Sequence, residues 1–169
     1  MGWAYDANKT LVMRKGSDSQ ALARRLHAAH PTALNVMLRI VVEGDMVSFV
    51  AIQSMLHWSY CQDACKTMVA MGVIETLLSM LPMAAPCFKF CSVDLLVRLV
   101  EHDRSALPRL LRPRLVRALL QLLQDKSNSK RTLHGLLHVL EVVITHPKAN
   151  VLLKTRWWLR ICRRLTHPP

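Results

Sequence analysis

The residues best equipped for chemistry are few, and they come in pairs. Cys61 and Cys65, and again Cys87 and Cys91, are separated by three residues, which sets each pair of thiols one turn apart on a helix. His134 and His138 have a similar separation. Thiolate and imidazole are the ligands a structural zinc ion takes, and its knuckles use two to four intervening residues, so the spacing allows a metal. Against it, cysteine is a common small core residue in a reducing compartment, and Cys162 leaves the five cysteines an odd set. Gly135 stands where a zinc protease carries its glutamate. Free thiols, no metal site and no cofactor are the expectation.

Catalytic equipment is missing as well. The chain has no glycine-rich phosphate loop, no nucleophile elbow and no paired carboxylates with an obvious site. It reads as a non-enzyme. Its polar residues are instead organised by repetition. His134, His138, Glu141 and Thr145 follow at steps of four, three and four; Asp94, Arg98 and Glu101 keep that spacing earlier in the chain, and Gln53, His57 and Tyr60 earlier still. Corresponding positions are 40 or 41 residues apart. A polar stripe that returns on one helix face is either a solvated surface or a binding surface.

A second recurring set is basic. Copies of an apolar pattern begin at Ala33, Val73, Leu115 and Trp157. Arg112 and Lys154 stand three residues before two of these starts, and Arg114 and Arg156 one before. With Arg109, Arg117 and Arg160 they would form a ladder that acidic segments or phosphates could follow. The formal charge of +12 is placed accordingly: residues 1–97 hold eight Lys/Arg against seven Asp/Glu, and residues 98–169 hold fifteen against four. Such a balance points to an acidic partner. Nucleic acid is the alternative, but the ladder lacks aromatics for base stacking apart from Trp157 and Trp158, and no common nucleic-acid signature appears.

These residues must be positioned by helices. Hydrophobic content is 51 % and aromatics only 5 %, with Leu, Val, Met and Ala dominant, a composition that favours helix over β-sandwich. The copies start 40, 42 and 42 residues apart. Their apolar positions have helical spacing: Leu34, Met37, Leu38 and Val41; Ile74, Leu77, Leu78 and Leu81; Val116, Leu119, Leu120 and Leu123; Trp158, Ile161, Cys162 and Leu165. A longer helix follows the first three, over Asp45–Ser59, Cys87–Glu101 and Arg131–Thr145. A short helix then leads onward, over Asp63–Ala70, Ser105–Leu111 and Ala149–Lys154. Breakers fall between, at Gly44, Gly72, Pro82 to Pro86, Pro113, Ser127 to Ser129 and Pro147.

A unit of about 42 residues with one short and two longer helices resembles the armadillo repeat. The phrase Ala70-Met71-Gly72-Val73-Ile74-Glu75-Thr76-Leu77-Leu78 is similar to that family's glycine turn and second helix. Arg114 and Arg156 replace the glycine in later copies, so a HEAT-like unit stays open. The resemblance implies an all-α, right-handed α-solenoid over residues 17–169, of about three units plus a partial C-terminal one. It also implies that Gln53, His57, Tyr60, Asp94, Arg98, Glu101, His134, His138 and Glu141 line a groove. There an extended segment of a protein partner, acidic by the charge argument, would lie.

The ends carry further expectations. Residues 1–16 offer no dependable pattern and read as loosely ordered, with a helix to Ala29 capped by Ser17 or Ser19 and turning Leu22 and Leu26 inward. At the other end, Arg160, Arg163 and Arg164 would form the polar outer face of a capping helix that packs Trp158 inward; the alternative leaves Trp157 exposed to bind a ligand. Residues 67–88 come closest to a membrane span, but Gly72, Glu75, Pro82 and Pro86 divide them into two helices. No apolar run opens the chain, and Asp6 departs from the myristoylation pattern. The cytoplasm is expected, with the nucleus as alternative. A piece of a longer solenoid, or one that associates through its open ends, is the other architectural reading.

Overall fold

The computed structural model describes residues 3–5, 11–13, 17–44 and 46–145. The fourth copy from Trp157, the short helix expected at 149–154, and the ladder residues Lys154, Arg156 and Arg160 lie outside the described residues. Apart from one hairpin, the described chain is helical. Strand β1 (Trp3–Tyr5) pairs antiparallel with β2 (Leu11–Met13), Trp3 opposite Met13. The stretch expected to be loosely ordered thus carries one regular pairing, made where aromatic and aliphatic residues favour extended chain.

Nine helices follow among the described residues: α1 (Ser17–Ala29), α2 (Ala33–Glu43), α3 (Met46–Trp58), α4 (Gln62–Ala70), α5 (Val73–Met80), α6 (Pro86–His102), α7 (Ala106–Leu110), α8 (Pro113–Gln124) and α9 (Lys130–Thr145). Their boundaries follow from local chemistry. Gly44 ends α2 at φ 76°, and Gly72 turns the chain between α4 and α5 at φ 84°. A residue with a Cβ is strained in that left-handed region. Pro86 and Pro113 open α6 and α8, where a missing N–H costs nothing, and each holds the residue before it extended. A 3₁₀ turn at Leu81–Met83 absorbs Pro82.

Some of the corresponding helices pack on one another, and α4 also packs on α6. The long helices form a row, with α3 against α6 and α6 against α9; α5 packs on α8, and α1 on α4. Each three-helix set closes on itself, α2 on α3 and α8 on α9. The apolar spacing read from the sequence is the spacing that is buried: Leu34 and Val41 in α2, Ile74, Leu77 and Leu78 in α5 with Leu81 just after it, and Val116, Leu119 and Leu120 in α8. Met37, Leu38 and Leu123 are half-buried against them. In α1 the buried residue among those described is Ala23; of the two leucines expected inward, Leu22 is half-buried and Leu26 is exposed, because the helix turns the Ala23 side to its neighbours.

Residues 67–88 form the two bent helices expected of them. The axes of α4 and the α5 segment through Met83 meet at 69°, and no single helix among the described residues is long and apolar enough to cross a membrane. Met68, Val69, Val73 and Ile74 are covered by the rest of the chain.

Candidate functional site

The stripe of polar residues is brought together along the row of long helices. Gln53 and His57 stand on α3, with Tyr60 in the turn just after it; Asp94, Arg98 and Glu101 stand on α6, and His134, His138 and Glu141 on α9. Because α6 packs between the other two, its side chains reach both ways. Arg98 Nη2 donates to Tyr60 Oη at 3.1 Å, and the guanidinium carbon lies 4.2 Å from the centre of the Tyr60 ring. On the other side, His138 Nε2 lies 3.1 Å from Glu101 Oε1, and its Nδ1 is 3.8 Å from Glu141. Asp94 meets Arg131 of α9 at 4.0 Å, and that guanidinium also covers the Phe90 ring at 4.1 Å.

Spacing alone locates these positions on one face, but it does not reveal who pairs with whom. Arg131 and Phe90 were not among the candidates. Phe90 and Asp94 are four apart on α6 and therefore neighbours, yet only the register of α9 against α6 delivers Arg131 to both. His134 is exposed, and Gln53 is half-buried near Cys91. His57 is half-buried, and this desolvation, together with the nearby Arg98 charge, lowers its pKa from the ordinary 6.5.

The four described ladder residues stand on α7 and α8 and in the turn between them. Arg109 and Arg112 both approach Glu75 Oε1 of α5, at 3.4 and 3.5 Å. Arg112, Arg114 and Arg117 line a cleft of about 620 Å³ between α5 and α8. Its apolar lining is Pro82 and Ala118, backed by the buried Leu78 and Leu115. Glu75, a counter-ion invisible in the spacing pattern, is the carboxylate of this cleft, and its Oε2 is buried without a hydrogen-bond partner.

Three of the four described thiols are packed inside the fold, and Cys162 lies outside the described residues. Cys61, Cys65 and Cys91 are buried and Cys87 is exposed. Cys65 donates to Ser59 O at 3.2 Å. Burial, with Cys61 and Asp103 adding to it, pushes its thiol up to about 12, and burial with Asp94 pushes Cys91 up to about 11. A metal ligand or nucleophile needs the opposite shift. Among the described residues no group of three or more His, Cys, Asp and Glu side chains converges as a metal site requires. Comparison with protein-family models, with curated proteins and with solved structures finds no match for the chain.

Proposed function

We propose that the chain is a protein-interaction scaffold, an armadillo-like helical array that holds an extended segment of a partner across α3, α6 and α9. The observation that carries this reading is the set of polar side chains paired across the three long helices, Arg98 to Tyr60, Asp94 to Arg131 and Glu101 to His138. Side chains already paired across helices lose little freedom when a partner arrives, which lowers the cost of binding. Three carboxylates (Asp94, Glu101, Glu141) share this face with Arg98 and Arg131, so contact there is by hydrogen bonding and not by net positive charge. The chain's +12 acts at longer range, raising encounter rates with acidic partners.

The test places a photo-reactive residue at the exposed position 134 and maps its crosslinks, with and without Arg98→Ala and His138→Ala. Adducts on an extended partner segment that vanish in the double variant support the scaffold. Adducts unchanged by the variant, or none, refute it.

A second reading, continuation into further repeats or association with a copy, is favoured by one observation. Val36 and Val42 on α2, and Val47 and Val50 on α3, are large apolar residues left exposed at the start of the array. An open solenoid end has this character. Concentration-dependent light scattering separates the two: a clean monomer at all concentrations removes self-association.

A further inference from the structure

We infer that the cleft between α5 and α8 is a second docking site, distinct from the long-helix face, for an extended acidic segment in which apolar side chains alternate with carboxylates. Charge complementarity commits the occupant. Arg112 and Arg114 are exposed on the cleft wall, Arg117 adds a third guanidinium, and Glu75 is the one acidic residue of the lining. Guanidinium is the side chain best shaped for carboxylate, offering paired donors in a fixed plane. The floor discriminates between polyanions. Pro82 and Ala118, over the packed Leu78 and Leu115, give apolar side chains a place to sit. Among the described residues no aromatic ring lines the cleft, so they offer nucleobases nothing to stack on.

Glu75 sets the strength of the site. Its Oε1 draws Arg109 and Arg112 at 3.4 and 3.5 Å, distances longer than a close charge-assisted hydrogen bond. Arg112 is well exposed, with 63 % of its side chain open to solvent. An incoming carboxylate therefore competes with Glu75 for Arg112, and the cleft is self-occupied at one corner while Arg114 stays outward. This internal carboxylate keeps the basic surface from binding every anion equally, and removing its charge frees two guanidinium groups at once.

The experiment measures fluorescence anisotropy with a labelled peptide of alternating Glu and Leu at physiological salt. Glutamine-for-glutamate and single-stranded oligonucleotide probes of matched length serve as comparisons. Binding of the acidic peptide is expected, weakened about tenfold by Arg114→Glu and strengthened several-fold by Glu75→Gln. The opposite signs matter, because one shared loss of structure does not move the two variants in opposite directions. Three results overturn the inference: no binding, equal binding of the oligonucleotide, or affinities indifferent to Arg114 and Glu75. Loss with Arg98→Ala but not with Arg114→Glu would also overturn it, by assigning the peptide to the long-helix face. Failure of the scaffold reading at His134 leaves these outcomes unaffected, so the two sites are judged separately.

Discussion

Cys87 is the exposed thiol among the described residues, and Cys61, Cys65 and Cys91 share the opposite condition of burial and a raised pKa or a packed position in the core. Reactivity follows thiolate fraction and access together. Brief alkylation at neutral pH, read by peptide mass mapping, is expected to label Cys87 fully and leave Cys61, Cys65 and Cys91 unmodified until denaturant is added. A second residue-scale consequence concerns Lys89, a lysine with only 6 % of its side chain exposed. Its Nζ donates to Asp125 Oδ2 at 2.6 Å and to Ser127 Oγ at 3.2 Å. That hydrogen bond, with those from Ser127, holds the Asp125 carboxyl down at about 2. A carboxyl depressed in the folded state stabilises above its unfolded value, about 3.9, and this contribution is lost as pH falls from there toward 2. The urea midpoint should therefore drop across that window, and Asp125→Asn should flatten this part of the profile while lowering stability at neutral pH. His57 has the same sign in a higher window: its lowered pKa makes acidification below about 6.5 destabilising.

At the scale of the helix, Gly135 explains why α9 tolerates a poor helix former at mid-length. A Cβ built at that position would lie 2.6 Å from Val93 Cγ1 of α6, and Val93 is itself buried. The glycine allows α9 to approach α6 closely, which in turn brings His138 to Glu101 and Arg131 to Asp94. Replacing it by alanine improves helix propensity by about 1 kcal/mol but forces a stiff β-branched neighbour aside. Overpacking of this kind costs about 1–3 kcal/mol. Gly135→Ala should lower stability by a chemical denaturation measurement, and Val93→Ala should restore part of the loss in the double variant. A double-mutant cycle without coupling would mean the helices separate freely at this point.

For the whole molecule, the decisive fact is that one buried cluster runs from Ala23 in α1 to Val143 in α9. Leu77 and Leu119, corresponding residues of α5 and α8, both belong to it and are 1 % and 0 % exposed. Truncating either leaves a cavity against the neighbouring helices, at a cost of about 2–5 kcal/mol. Because both residues belong to one continuous core, unfolding is expected to remain a single transition in both Leu77→Ala and Leu119→Ala, seen alike by circular dichroism and by labelling of the buried thiols. Separate transitions for the two signals would show that α1 to α5 and α6 to α9 are held together only weakly.

Much of this was written in the linear order of residues. Apolar side chains at steps of three and four mark the buried faces of α2, α5 and α8, since a helix can turn only one stripe toward its neighbours. Gly44, Gly72, Pro86 and Pro113 mark the ends, because their backbones allow or forbid conformations regardless of distant context. The recurring polar positions of α3, α6 and α9 were legible for the same periodic reason. Tertiary structure alone decided the pairings. Glu75 with Arg109 and Arg112, Lys89 with Asp125, and Arg131 with Phe90 and Asp94 join residues 34 to 41 positions apart. Periodicity says which way a side chain faces, whereas a contact between helices depends on how far one slides along the other, and at Gly135 that sliding is set by the absence of a single methyl group.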